Sequence, residues 1–171
     1  MNRNRLAAQL SVVFLLTSVL LAQTGNVSEK ESLTISGFAD HSPLTLKVAD
    51  MKSLTHITLT IHNPHSNADE TYSGVRLSDL LAKVGAPLGS DLRGKALADY
   101  VVATGSDGYR AVLALGEVDP DFHPGEVIVA DAINGKPLDD HSGPMKLVVT
   151  EDKRPARSVR NLVKIELKMA D

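Results

Sequence analysis

Histidines crowd the stretch HITLTIHNPHS, which runs from residue 56 to residue 66. His62 and His65 flank Asn63 and Pro64, and neutral imidazole is the commonest metal-binding side chain in proteins. The two rings could share a zinc or copper ion if a third ligand came from elsewhere in the chain. They lack the i, i+4 spacing of a helical metal motif, so the stretch is equally typical of a solvated loop.

A second group of reactive side chains lies in EDKRPARSVR, residues 151–160. Its four cations are Lys153, Arg154, Arg157 and Arg160. Guanidinium groups bind phosphate through paired hydrogen bonds and stay charged in any pocket, so the segment predicts an anion site. Arg157 and Arg160 would lie on one side of the chain if the segment were helical. The alternative is a solvated charged loop in which Glu151 and Asp152 are the local partners.

The sequence contains no cysteine, which excludes disulfides, a thiolate nucleophile and thiolate metal ligands. No glycine-rich phosphate loop follows a predicted strand, and the G-x-S-x-G pattern of serine hydrolases does not occur. The net charge of −3 argues against nonspecific nucleic-acid binding, which needs a concentrated basic surface.

The amino-terminal residues have the order of a secretory signal. Arg3 and Arg5 precede an apolar run from Leu6 to Ala22, and polar sequence follows. We expect a signal peptide at residues 1–22, a linker at 23–31, a domain at 32–169 and a periplasmic or secreted protein. Loss of the two arginines leaves 16 basic against 21 acidic residues, a net charge of −5. The alternative is an uncleaved leader, which would be the only contact with a membrane.

The elements that must position these side chains are mostly strands. Alternating apolar residues predict strands around Leu33, around Leu44 and from Ile57 to Ile61, the last ended by Pro64. Hairpin turns are predicted at 106–108 and at Asn134–Gly135, and further strands in MKLVVT and VRNLVKIELK.

Helical periodicity is clearest in YSGVRLSDLLAKVG, residues 72–85. Its apolar stripe consists of Leu77, Leu80, Leu81 and Val84, and Gly85 supplies the stop. We therefore expect one long helix there, with shorter helical turns near Asp50 and at 115–118. These elements together predict a single strand-rich α+β domain.

Three segments in this order resemble the molybdopterin-binding domain of the sulfite oxidase family of oxidoreductases. They are YSGVRLSDLLAKVGAP, DYVVATGSDGYRAVLALGEVDPDF and VIVADAINGKPLDDHSGPMKLVVTEDKRPARSVRNLVKIEL. The resemblance covers roughly residues 33–168, and NGKPLDDHSGPMKLVV followed by ARSVRNLVKIEL is its most specific part. It implies a mixed α+β fold of the sulfite oxidase type.

The resemblance also implies a cofactor, molybdopterin, whose dithiolene sulfurs hold molybdenum and whose phosphate is bound by basic side chains. Arg157, Ser158 and Arg160 match the cofactor-contacting positions, with Arg160 in place of the usual lysine and Asn161 in place of a tryptophan. The partners implied are a small anionic ligand or cofactor and a redox-partner protein.

Asn63 is the decisive departure, since it aligns at or next to the cysteine whose thiolate binds molybdenum in the family. A neutral amide cannot replace a soft anionic thiolate. This favours a noncatalytic module that binds a pterin-type or other phosphorylated ligand without molybdenum redox chemistry. The alternatives are a molybdopterin-dependent oxidoreductase with ligation by His62 or His65, and a histidine-based metal-binding module.

Overall fold

The computed structural model describes residues 31–38, 40–64 and 66–170. The predicted leader, all but the last residue of the predicted linker, and His65 lie outside the described residues. Within the described part of the chain, no helix is long and apolar enough to cross a membrane.

The described residues form ten strands and three short α-helices. In chain order the strands are β1 (Ser32–Ser36), β2 (Leu44–Lys47), β3 (Ile57–Asn63), β4 (Ala68–Arg76), β5 (Tyr100–Gly105), β6 (Arg110–Ala114), β7 (Val127–Ile133), β8 (Lys136–Pro137), β9 (Lys146–Val149) and β10 (Leu162–Lys168). The helices are α1 (Val48–Met51), α2 (Leu77–Ala82) and α3 (Leu115–Val118), and single 3₁₀ turns include Pro155–Arg157.

The strands form two sheets. The first sheet has the order β2-β1-β10-β5-β6, in which β1 runs parallel to β10 and the other neighbours are antiparallel. The second sheet has the order β3-β4-β7-β8, and β9 also pairs with β7. All pairs in the second sheet are antiparallel.

One hydrophobic core joins the two sheets and α2, so the described chain is a single domain. Its fully buried side chains include Leu33, Ile35, Leu113 and Ile165 from the first sheet, Val129 and Leu147 from the second, and Leu77, Leu80 and Leu81 from α2. Burying such aliphatic side chains contributes roughly 1.5–3 kcal/mol each. The predicted strand-rich α+β class of the sulfite oxidase type is confirmed.

The prediction of one long helix at 72–85 is wrong, because α2 has only six residues and Tyr72–Arg76 belongs to β4. A Cβ on Gly74 would lie 2.2 Å from the carbonyl oxygen of Val129, so β4 passes β7 at a distance that only glycine permits. Because most residues of β4 are polar, its sequence does not show the apolar and polar alternation that identifies a strand. The predicted apolar stripe of α2 is nevertheless fully buried.

Both predicted hairpins are confirmed. Gly108, at φ +83°, closes the turn between β5 and β6. Asn134 and Gly135 both have positive φ between β7 and β8, as a type I′ turn requires. The turn near Asp50 is also present as α1, where the Asp50 carboxylate accepts a hydrogen bond from the backbone N–H of Lys47.

Candidate functional site

A cleft of about 940 Å³ lies on the face of the second sheet that points away from the core. Alternation along β4 produces this face, since Val75 packs in the core while Glu70 and Tyr72 point the other way. Three loops surround the sheet surface: the 106–109 turn, the 138–145 connection and the 150–161 segment. The volume falls within the range of about 300–1,000 Å³ that is usual for small-molecule sites.

A chain of hydrogen bonds crosses the floor of the cleft from β9 to β3. Lys146 Nζ donates to the hydroxyl of Tyr72 at 2.8 Å, and this hydroxyl donates to Glu70 Oε2 at 2.7 Å. Asn63 Nδ2 donates to the other carboxylate oxygen, Oε1, at 2.6 Å. Each member lines the cleft, so the chain presents polar groups to any ligand bound there.

Strand register explains how Lys146 reaches Tyr72 across β7. Lys146 pairs with Ala130, which in turn pairs with Gly74 on β4. Because neither neighbour has a large side chain, the aliphatic stem of the lysine has room to lie over β7. Its ammonium sits 4.6 Å from the centre of the Tyr72 ring.

Burial sets the protonation of this pair. Desolvation lowers the pKa of the Lys146 ammonium, and the nearby Arg160 charge lowers it further, against the opposing effect of Glu70 and Asp139. Burial also raises the pKa of the Tyr72 phenol, with Glu70 adding to the shift. Tyr72 is therefore a neutral donor at physiological pH, and the amine of Lys146 loses its proton more readily than an exposed lysine.

Arg160 lies at the rim of the cleft with its guanidinium against the imidazole Nε2 of His141. Three further cations line the cleft, namely Lys136, Lys146 and Lys153. Among the described residues, none of these four cations forms an ion pair with a carboxylate. Arg160 is exposed, so its charge is available to a ligand.

Arg157 is placed differently. Its guanidinium makes two hydrogen bonds to Asp152, at 2.9 and 2.6 Å, and a third to Glu117 at 2.9 Å. These hydrogen bonds raise its pKa further above the ordinary arginine value. Arg157 lines a separate small depression next to Glu117 and does not line the cleft.

The backbone separates the two arginines. The 3₁₀ turn Pro155–Arg157 ends at once, and Ser158 is extended at φ −79° and ψ 105°. The expectation that both guanidinium groups lie on one side is therefore wrong, because it required a helix. Ser158 does line the cleft, and its hydroxyl oxygen accepts a hydrogen bond from the backbone N–H of Val149 at 3.2 Å.

Asn161 joins the loops around the cleft. Its carbonyl accepts from the N–H of Ser106 at 2.9 Å, its own N–H donates to Ser142 O at 2.8 Å, and its amide donates to His141 O at 3.0 Å. Asn161 has φ +47°, a conformation that asparagine tolerates better than most residues. One residue thus contacts two of the loops while belonging to the third.

Of the two histidines proposed as metal ligands, His62 lies in the described part of the chain, where it lines the cleft. His62 Nδ1 lies 3.0 Å from Asp69 Oδ1, and both side chains are largely exposed. His65 lies outside the described residues. Across residues 31–38, 40–64 and 66–170, no group of three or more His, Cys, Asp or Glu side chains could hold a metal ion.

The sequence matches the family model described as oxidoreductase molybdopterin-binding domain over residues 22–171. The chain belongs to this family. No curated protein is similar enough to match the chain. The predicted resemblance to a molybdopterin-binding domain is confirmed, and the matched region includes every strand and every cleft residue described above.

The residues of this molybdopterin-binding domain fit one part of the family's cofactor and not another. The cleft has the volume to take a pterin with a phosphate group, and it has cations that form no ion pair with any described carboxylate. Thiolate ligation of molybdenum does not fit, because the sequence has no cysteine. Asn63 lies at the aligned position, and its side-chain amide donates a hydrogen bond to Glu70.

Sequence reasoning about this family member overlooked Tyr72, Glu70 and Lys146. Lys146 was detectable in principle, since it is the one charged residue in the apolar strand sequence MKLVV. A lysine in a strand buried on one face must point to the other face. Its link to Tyr72 depends on the pairing of β4 with β7, which the sequence did not reveal.

Proposed function

We propose that the chain is an exported member of the family that binds a pterin-type or other phosphorylated anion in the cleft and carries out no molybdenum redox chemistry. The observation that carries the proposal is the pair of Arg160 and Lys146, which line the cleft and have no carboxylate partner among the described residues. Repulsion between two nearby positive charges raises the free energy of the folded protein, and an anion bound between them removes that repulsion.

The contrast with Arg157 supports this assignment. The Arg157 guanidinium forms ion pairs with Asp152 and Glu117, so its charge is already neutralised within the fold. The guanidinium of Arg160 hydrogen-bonds to the imidazole of His141 and has no ion pair with a carboxylate among the described residues. We therefore assign phosphate binding to Arg160 and Lys146, with Ser158 at the same wall.

The position of His62 argues against the two alternatives. An oxidoreductase with non-thiolate ligation would need His62 or His65 as a metal ligand, and His62 Nδ1 lies 3.0 Å from Asp69 Oδ1. A histidine-based metal module would need His62, which lies against Asp69 and is largely exposed. Neither arrangement supplies three metal ligands within the described residues.

The test is to purify the chain from a host that makes molybdopterin and to measure its molybdenum and pterin content. We expect at most one pterin per chain, detected by fluorescence after oxidation, and no stoichiometric molybdenum. Stoichiometric molybdenum would contradict the noncatalytic assignment. The Arg160→Ala variant should lose pterin or pyrophosphate binding by tenfold or more, about 1.4 kcal/mol, whereas Arg157→Ala should retain it.

Export is supported only by the order of residues 1–22, with Arg3 and Arg5 before an apolar run. We expect fractionation of the native host to place the shortened chain in the periplasm or medium. Replacing Leu15 and Leu16 in this run by lysine should retain the full-length chain in the cytoplasm. Full-length chain in the membrane fraction would instead indicate an uncleaved anchor.

A further inference from the structure

Lys146 differs from the other cations of the cleft in its surroundings. Lys136, Lys153 and Arg160 are exposed at the rim, whereas Lys146 is half-buried on the floor. It has no ion pair with any described carboxylate, and its hydrogen-bond partner among the described residues is the neutral hydroxyl of Tyr72. An amine that is desolvated and lies near another cation is the arrangement that activates lysine as a nucleophile.

We propose that Lys146 forms an imine with an aldehyde or ketone that also carries a phosphate or carboxylate group. This deepens the proposed function and rests on it, since Arg160 would hold the anionic end while the carbonyl reaches the floor. The chain Lys146–Tyr72–Glu70 keeps the amine in place, because Tyr72 accepts one of its N–H groups and is itself fixed by Glu70.

The reaction balances without an oxidant or reductant. The lone pair of the neutral amine attacks the carbonyl carbon, a C–N bond forms, the C–O π bond breaks, and one N–H proton moves to the oxygen to give a carbinolamine. The hydroxyl and the remaining N–H proton then leave together as water, and the nitrogen lone pair forms the C=N bond. One water molecule is released per imine.

The charges around the amine support its reactivity at neutral pH. Arg160 and the burial of the site lower the pKa of Lys146, while Glu70 and Asp139 oppose the shift. Tyr72 stays protonated, because burial and Glu70 raise the pKa of its phenol. The neutral amine that the attack requires is therefore more abundant at Lys146 than at a lysine with the ordinary pKa of about 10.4.

The experiment uses pyridoxal 5′-phosphate as the probe, with borohydride to reduce any imine to a stable amine. The full chain is incubated with an equimolar amount at pH 7.5, reduced, digested and mapped by mass spectrometry. We expect one label per chain at Lys146, at least tenfold above the label at Lys83. Pyridoxal without the phosphate should label Lys146 at least tenfold less.

Two variants separate this proposal from the anion site. Lys146→Arg keeps the charge, so it should still bind the probe noncovalently but lose the reducible label. Tyr72→Phe removes the hydroxyl that accepts a hydrogen bond from the amine, so it should slow labelling at Lys146. If the unaltered chain binds the probe but labelling is spread over surface lysines, the imine is refuted and the anion site stands. If the probe does not bind at all, and neither does pyrophosphate, both proposals fail.

Discussion

Arg157 and Arg160, three positions apart in the sequence, direct their guanidinium groups to different parts of the molecule. Arg157 lies between Asp152 and Glu117, and Arg160 lies at the cleft beside His141. The segment that carries them leaves its 3₁₀ turn at Arg157 and becomes extended at Ser158. The sequence pattern of one basic run thus corresponds to two places in the structure, an ion-paired cluster around Arg157 and the cleft at Arg160.

The two arginines should respond oppositely to replacement by alanine. Arg157→Ala removes ion pairs in which the arginine side chain is 35% exposed. We expect it to lower the free energy of unfolding by about 1 kcal/mol, since partly exposed ion pairs contribute little. Arg160→Ala should leave stability within about 0.5 kcal/mol and weaken pyrophosphate binding. Urea denaturation and calorimetric titration of both variants measure the two effects.

Glu117→Gln serves as the matched control for Arg157. It removes one of the two carboxylates that Arg157 contacts and leaves the cleft untouched. Glu117→Gln should lower the free energy of unfolding by less than Arg157→Ala does. In the double variant the loss should be smaller than the sum of the two single losses. Additive costs would contradict the ion-pair role.

Lys146→Met should stabilise the protein while it abolishes anion binding. The folded state lowers the pKa of Lys146, so folding disfavours the charged form. The resulting loss of folding stability is largest at pH values below the folded-state pKa of Lys146. It disappears as pH rises from there toward the ordinary lysine pKa of about 10.4. We expect the variant to be more stable by about 1 kcal/mol at pH 7, with the advantage shrinking as pH rises toward the ordinary lysine value of about 10.4. Thermal unfolding from pH 6 to pH 10 tests this.

Glu166 should contribute to acid sensitivity. Its carboxylate accepts hydrogen bonds from Lys168 and Lys164, which lower its pKa below the ordinary value of 4.5. A carboxylate with a depressed pKa adds stability above its unfolded-state pKa and loses it as pH falls through the folded-state pKa. Glu166→Gln should therefore be less stable at pH 7 by up to about 1 kcal/mol, and the difference should shrink as pH falls below 4.5 and vanish once the carboxylate is protonated in the folded state. A difference that persists in acid would point to packing instead.

Gly74→Ala should be among the most damaging small substitutions in the chain. The added methyl would lie 2.2 Å from the carbonyl oxygen of Val129 and 2.5 Å from the Cα of Ala130, both backbone atoms. We expect a loss of about 3 kcal/mol. Gly135→Ala is the control, since nothing lies within 4 Å and only its φ of +73° resists a side chain. Its cost should be nearer 1 kcal/mol, roughly that of a left-handed conformation.

Local patterns predicted the fold well where one face of an element is buried and the other is solvated. The alternation of β3, the Asn134–Gly135 turn and the apolar stripe of α2 are of this kind. The same logic failed at β4, whose outward face holds Glu70 and Tyr72 beneath the cleft. A strand with a functional outer face loses the alternation that would identify it.

The site could be predicted only in part because its members come from distant strands. Arg160, Ser158 and Asn63 were identified from residue type and resemblance, and all three line the cleft. The contact of Lys146 with Tyr72 spans 74 positions and depends on small residues at Ala130, on the intervening strand β7, and at Gly74 on β4. Cross-strand register of this kind leaves no local signal in a single sequence.

The hydrogen bonds of Asn161 bear on how this cleft could be redesigned. Ser106, Ser142 and Asn161 are tied by short backbone contacts, so inserting or deleting a residue in any of these loops would displace the other two. New ligand preferences would therefore have to come from exchanging side chains on walls of fixed length. Loops of fixed length would let side-chain exchanges change the selectivity among ligands of similar size, but would not let the cleft bind larger ligands.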